Sequence, residues 1–242
     1  MDVHSHVVPS GDDGVRTEGD GLELCRGASE RGTRVLFATP HVWPTLTLPE
    51  AREQAVRAAH AAMAPIAAGH GLDLHLGWEL TPMPRLLAED PERYRLGELP
   101  AVLMEVPFHG SLALAEALAE HIEEHGLTPV IAHPERSEAV LDDPGAAARL
   151  AERGWLLQVN ATSLLGAHGP AIEDAAWSLL DDGVAHVVAS DGHRATRPPY
   201  LDRAYELVRV RLGEGADPLF DGRALPGLDA LVRAADGLDL AQ

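Results

Sequence analysis

Short apolar, β-branched runs alternate with longer amphipathic helical patterns along almost the whole sequence, and this alternation limits the fold more than any other feature. The strand patterns fall at 2–7, 34–39, 73–77, 101–107, 129–133, 156–160 and 186–190. Between and after them lie Ala/Leu/Glu-rich helical patterns at 18–31, 49–68, 111–125, 144–153, 172–180 and 200–212. Strands that take turns with helices pair in parallel through crossovers, which predicts an α/β fold, either a barrel or a doubly wound sheet. Gly32, Gly126, Gly154 and Gly183 stand where helices should end before the next strand. The segment 81–100 carries several prolines and reads as an elaborated loop, and the Gly/Asp-rich tail from Gly213 holds one short helical pattern near 228–235. A length of 242 residues suits one α/β barrel, so a single domain over residues 1–242 is expected.

Composition narrows the partners and the chemistry. Hydrophobic residues make up 45% and charged residues 24%, enough to bury a core, while the formal net charge of −19 repels nucleic acid and anionic membranes. No lysine occurs, so a phosphate-binding loop lysine, a Schiff base and a carbamylated-lysine metal bridge are all excluded. With one cysteine, Cys25, the chain forms neither an internal disulfide nor a cysteine-rich zinc site. The opening Met1-Asp2-Val3-His4 has no basic stretch followed by an apolar run, and no later segment is an uncharged span; the expectation is a cytoplasmic protein without membrane insertion.

Histidines and carboxylates gather at the C-terminal ends of the expected strands. His4 and His6 are two apart in the first strand, so the pleat turns both to one side. His41 follows the second strand, Glu79 the third, Glu105 ends the fourth, His133 ends the fifth, and Asp191 with His193 follows the seventh; Asp13, in the loop after the first, reaches the same rim. In a parallel barrel these ends share one face, where such proteins build their sites. Imidazoles and carboxylates without sulfur favour Mn²⁺, Fe²⁺ or Zn²⁺, and this many ligands exceed the needs of one tetrahedral ion, so two or three ions are implied. Glu79 or Glu105 would bridge them. A lone histidine near a strand end is usually an ordinary hydrogen-bonded residue, and His60, His70, His75, His109, His121, His125, His168 and His186 are read in that way.

Arg136, in His133-Pro134-Glu135-Arg136, and Arg197, six residues past Asp191, have the planar fork that grips phosphate oxygens; Arg194 is read as facing solvent. Cys25 and Arg31 also fit Cys-x5-Arg, the signature of thiol-based tyrosine phosphatases. That chemistry needs the order strand, phosphate-cradling loop, helix N-terminus, whereas Cys25 lies within a helical run that precedes a strand. The thiol reading therefore fails, and Cys25 is expected to be a half-buried helix residue.

Several strings together resemble the polymerase and histidinol phosphatase (PHP) superfamily, and within it the bacterial tyrosine phosphatases of capsule and exopolysaccharide operons. They are Asp2-Val3-His4-Ser5-His6, Asp12-Asp13-Gly14, Thr39-Pro40-His41, Gly77-Trp78-Glu79, Ile131-Ala132-His133-Pro134-Glu135-Arg136, Gln158-Val159-Asn160 with Ser163-Leu164-Leu165, and Ala189-Ser190-Asp191 through Arg197-Pro198-Pro199. The resemblance implies a distorted (β/α)7 barrel of PHP type. It also implies a trinuclear cluster, usually manganese with Fe²⁺, Zn²⁺ or Mg²⁺ as substitutes, held by His4, His6, Asp13, His41, Glu79, Glu105, His133, Asp191 and His193, with Glu79 as the bridge. Arg136 and Arg197 fall on the family's phosphate-binding arginines, and Asp191 joins them as a catalytic candidate. The implied reaction is hydrolysis of phosphotyrosine by in-line attack of a metal-bound hydroxide, on a protein substrate such as an exopolysaccharide-system tyrosine kinase. The alternative is a small-molecule phosphomonoesterase such as histidinol-phosphate phosphatase; a non-catalytic metal-binding or polymerase-type proofreading module is disfavoured by the complete ligand set. The sequence departs from the family at Ser137, where an aromatic residue is frequent, and carries Trp43 in the loop after His41; both are expected to line the mouth.

Overall fold

Every pairing between the strands of the computed structural model, which describes residues 1–143 and 145–228, is parallel. In chain order the elements are β1 (Asp2–Ser5), α1 (Glu18–Glu30), β2 (Val35–Ala38), β3 (His41–Val42), α2 (Glu50–Ala68), β4 (Asp73–Leu76), β5 (Glu79–Leu80), β6 (Ala101–Glu105), α3 (Ala113–Glu124), β7 (Thr128–Ala132), α4 (Glu138–Asp142), α5 (Gly145–Glu152), β8 (Leu156–Asn160), α6 (Ala161–Leu164), α7 (Pro170–Asp181), β9 (Val187–Ala189), α8 (Asp202–Leu212) and α9 (Asp217–Phe220). They form a three-stranded sheet, β1-β2-β4, and a six-stranded sheet, β3-β5-β6-β7-β8-β9. The expected α/β class holds.

The sequence predicts seven strands, and the described residues form nine. The difference comes from two breaks, Thr39-Pro40 between β2 and β3 and Gly77-Trp78 between β4 and β5. Pro40 has no N–H for a ladder. A side chain at Gly77 would lie 2.7 Å from Leu96, so glycine there admits the segment that crosses it. The offset between partners is the same on both sides of the breaks, Val35 to Asp73 before them and His41 to Glu79 after, so each pair runs on as one kinked ribbon. On the edge of β1 away from β2 a parallel bridge links Ser5 and Gly192, and the His6 N–H donates to the Gly192 carbonyl at 2.7 Å.

Local chemistry explains the helices. Thr17 caps α1 by accepting from the Asp20 N–H at 3.1 Å, while its own hydroxyl donates to the Asp20 carboxylate at 2.7 Å. Gly32 takes φ +96° directly after that helix, as the chain turns back into β2. The connection from β5 to β6, expected as a loop, holds two 3₁₀ turns, Pro84–Ala88 and Pro91–Tyr94. Three further short helices, α4, α6 and α9, were not legible as periodic patterns because each spans about one turn. The short helix expected near 228–235 lies, past Leu228, outside the described residues.

Strand residues alternate between two apolar clusters, as a period of two requires. Leu36, Val102, Ile131, Leu157 and Val188 pack outward with Leu24, Met63, Ile122 and Leu180 of the helices. Their neighbours Phe37, Leu103, Val130 and Val187 meet Val3 in a second cluster drawn from both sheets. Truncating Phe37, fully buried in that cluster, to alanine should cost about 3–5 kcal/mol and lower the melting temperature by roughly 10 °C. Thermal unfolding of Phe37→Ala checks this, and an unchanged transition would mean the cluster does not hold the sheets together.

Candidate metal centre

Strand geometry carries side chains from every part of the chain to one buried pocket. In β1 the register shifts between Asp2 and Ser5; Val3 joins the inner apolar cluster while His4, next in sequence, turns into the polar pocket. His4 and His6 then lie together as the pleat predicts, Nε2 to Nε2 3.3 Å apart. The His41–Glu79 register of β3 and β5 sets His41 Nδ1 2.7 Å from Glu79 Oε2. His133 and Asp191, immediately and two residues past the ends of β7 and β9, have φ of +38° and +51°, the positive values among described non-glycine residues. Such backbone is costly for residues with a Cβ, and it persists where surrounding contacts fix a side chain in place.

Glu79 is the hub. It is fully buried; its Oε2 lies 3.2 Å from His4 Nε2 and 3.3 Å from His6 Nε2, besides His41, while its Oε1 lies 3.0 Å from His133 Nε2. Asp191 Oδ1 sits 3.4 Å from His4 Nε2 and 3.5 Å from His6 Nε2. Asp13 Oδ1 reaches His193 Nε2 at 3.3 Å and His41 Nε2 at 3.6 Å. Three trios, His6–His41–His193, His4–His6–Asp191 and His4–Glu79–His133, each bring ligand atoms within 4.8 Å of one another.

Of the nine expected ligands, eight therefore converge. Glu105 is buried beside them and lines the same cavity, yet its contact is the Thr81 hydroxyl, which donates to it, rather than an imidazole. Of the two carboxylates expected as a bridge, Glu79 has the contacts a bridge requires.

Supporting hydrogen bonds aim the imidazoles. His4 Nδ1 donates to Gln158 Oε1 (2.9 Å), Gln158 Nε2 to Asn160 Oδ1 (2.8 Å), and Asn160 Nδ2 to Asp191 Oδ2 (2.9 Å), a chain that returns to the cluster. His6 Nδ1 donates to Asp12 Oδ2 at 3.2 Å, and His193 Nδ1 to the Asp191 carbonyl at 2.8 Å. Sequence reasoning gave no role to Asp12, Gln158 or Asn160; the available signal was two polar residues at period two in the otherwise apolar β8. Arg194 was expected in solvent. It is exposed, but its Nε donates to the Asp13 carbonyl at 2.7 Å and so holds the Asp13 loop.

Electrostatics of the pocket follow from burial of many ionisable groups together. Burial disfavours charge on Glu79 and Asp191, yet the surrounding imidazoles outweigh it and hold both carboxyls well below the ordinary range. Burial likewise disfavours charge on His4 and His6, but Glu79 and Asp191 raise His4, and Asp12 together with Asp191 and Glu79 raises His6 far above its ordinary value. Glu105 is pushed up to about 8 by burial and by the charge of Glu79. Metal ions fit this donor set: Glu79 Oε2, His41 Nδ1 and His133 Nδ1 are buried without a hydrogen-bond partner, and all are oxygen or imidazole ligands.

Over the cluster opens a cavity of about 270 Å³, lined by Asp13, His41, Trp43, Glu105, Phe108, His133, Arg136, Asp191, His193 and Arg197. Arg136 Nη1 donates to Asp191 Oδ2 at 3.2 Å, and Arg197 Nη2 lies 3.8 Å from Asp191 Oδ1. Trp43 lines the mouth as expected. Ser137 does not: it is fully buried and donates to the Pro107 carbonyl at 2.8 Å. Cys25 is buried in α1, its thiol pushed up to about 12 by burial, with no strand-loop-helix cradle around it. Among the described residues no helix is long and apolar enough to cross a membrane.

Known proteins resemble this chain over most of its length. The family model for capsular polysaccharide synthesis, CpsB/CapC, matches residues 1–220. The chain is 30% identical over 218 residues to the tyrosine-protein phosphatase YwqE of Bacillus subtilis, covering 88% of this chain and 85% of that protein. It is 26% identical over 225 residues to the tyrosine-protein phosphatase CpsB of Streptococcus pneumoniae, covering 88% and 91%. One solved chain, from work described as crystal structures of YwqE from B. subtilis and CpsB from S. pneumoniae, unique metal-dependent tyrosine phosphatases, superposes with a TM-score of 0.81 at 28% identity, over 90% of this chain and 90% of that one. The chain thus belongs to the CpsB/CapC family of capsular polysaccharide synthesis.

Proposed function

We propose that this protein is a metal-dependent protein-tyrosine phosphatase, a phosphoric monoester hydrolase whose site is the Glu79-centred cluster beneath Arg136 and Arg197. The observation that carries the reading is the joining of eight candidate ligands and two arginines over one small cavity. The named activity of YwqE and CpsB supports it. The fold reading is one domain over residues 1–242 forming a distorted (β/α)7 barrel of PHP type, supported by the two kinked ribbons and the Ser5–Gly192 bridge.

His4, His6, Asp13, His41, Glu79, His133, Asp191 and His193 would hold the ions, with Glu105 at their border; three Mn²⁺ is the favoured occupancy, and Fe²⁺, Zn²⁺ or Mg²⁺ are substitutes. Such ions activate water and neutralise phosphoryl charge. The arginines bind phosphoryl oxygens, and their anchorage on Asp191 fixes their approach to the cluster. Tyrosinate, with an ordinary pKa of about 10, leaves readily, so demand for a proton donor is small. The substrate class is a phosphotyrosine protein, an exopolysaccharide-system tyrosine kinase in the cytoplasm being the reading that family membership supports.

His6→Ala and Asp191→Ala should abolish phosphotyrosine hydrolysis and lower metal per chain by elemental analysis. Arg136→Ala should keep its metal but raise KM about 10- to 100-fold, the loss of charge-assisted hydrogen bonds. Hydrolysis of histidinol phosphate well above that of phosphotyrosine peptides would transfer the assignment to a small-molecule phosphatase. Cys25→Ser, assayed on the same peptides, should leave kcat/KM unchanged; its inactivation would contradict the metal mechanism.

Proton and metal compete for the same nitrogens. His4 and His6 are raised above their unfolded value of about 6.5, so the stability they contribute is complete below that pH and lost as pH rises through their folded values. Glu105, also raised, acts in the same direction up to about 8. Chelated protein should therefore lose melting temperature as pH rises from about 6.5 to about 8, whereas manganese-loaded protein should hold its value. Parallel melting curves at those pH values check this; equal slopes with and without metal would count against the cluster.

A further inference from the structure

Phe108 has a position that packing does not explain. It lies just beyond β6, 40% exposed, and is the aromatic member of the few large apolar side chains left at the surface among the described residues. It lines the cavity over the cluster. The Arg136 guanidinium lies 4.7 Å from the ring centroid, and the His133 imidazole stacks on it at 5.9 Å and 28°. The Glu138 N–H, donating to the Phe108 carbonyl at 2.9 Å, ties this loop to the segment that carries Arg136. The Trp43 indole, which lines the same cavity, stacks on His41 at 4.2 Å and 29°. Two aromatic groups thus lie against two different imidazoles of the cluster and line one opening.

An ester whose phosphoryl group is held by Arg136 and Arg197 must direct its leaving group outward, past these rings. The cavity, at about 270 Å³, is smaller than the roughly 300–1,000 Å³ pockets that enclose drug-sized ligands, which suits a phosphoryl group and a single ring. We infer that Phe108, with Trp43 lining the same opening, forms a ring-binding wall that selects aryl over alkyl phosphate esters, a specificity-determining contact with the leaving group. The inference rests on the phosphatase reading and names the part of the site that reads the tyrosine ring. Offset or edge-to-face aromatic contact together with burial of the ring gives such a wall its preference.

Non-hydrolysable ligands test it without turnover. Calorimetric titration of phenylphosphonate and methylphosphonate into manganese-loaded wild type, Phe108→Ala and Phe108→Tyr should give a phenyl preference of about tenfold in wild type and Phe108→Tyr. Phe108→Ala should lose most of that preference while its affinity for methylphosphonate stays unchanged. Equal weakening of both ligands in Phe108→Ala would mean that the ring only props Arg136, and a preference that survives the substitution would mean that Phe108 does not read the ring; either result overturns the inference and leaves the phosphatase reading standing. Folded, metal-loaded wild type that binds neither phosphonate and hydrolyses no phosphotyrosine peptide would remove both.

Discussion

A carboxylate with no exposure to solvent and four imidazoles around it sets the terms for the rest of this molecule. Removing the Glu79 charge from water is expensive, and the cost is offset only if polar partners reach both oxygens. Those partners come from β1, β3 and the end of β7, so the strands must converge at one rim before the charge can be buried at all. Asp191 repeats the arrangement from the end of β9, with Asn160 and Arg136 on its second oxygen. Fold and site are therefore one problem: the parallel strands provide the convergence, and the buried charges reject any arrangement that leaves them unmatched.

The apolar architecture supports this division. Alternate strand residues fill an outer layer beneath the helices and an inner cluster around Phe37, and the polar pocket begins where that inner cluster stops. On β6 the change occurs within one strand, from Leu103 in the cluster to Glu105 at the cavity. Backbone irregularities collect at the same level: the shifted register of β1 and the left-handed residues His133 and Asp191. Each turns a side chain that a regular strand would have sent elsewhere, which is a recurrent use of bulges and strained φ at functional sites.

Much of this could be read from the sequence, because its two strongest signals are periodic. Period two marked the strands, and the placement of His4, His6, His41, Glu79, His133, Asp191 and His193 at their ends marked the rim. Less legible was whatever depends on contact across the chain. Glu105 looks like its neighbours in sequence, yet the register of β6 brings it to Thr81 rather than to a histidine. Asp12 and Asp13 are adjacent, and only the fold shows that one orients His6 while the other faces His41 and His193. Ser137 follows the phosphate-gripping segment and was expected at the mouth; its hydroxyl turns inward to Pro107, and the aromatic ring near Arg136 arrives from β6 instead. Gln158 and Asn160 announced themselves as polar residues in an apolar strand without disclosing what they touch.

The two interrupted ribbons have a consequence for how such a chain can vary. Because Thr39-Pro40 and Gly77-Trp78 interrupt neighbouring strands at matched positions, the pairing before the gaps and the pairing after them share one alignment. Adding or deleting a residue in either gap alone would slide His41 past Glu79 and flip one of them to the opposite face. Length changes at these gaps can survive only as compensated pairs, whereas the loops at the far ends of the helices are free to grow or shrink singly.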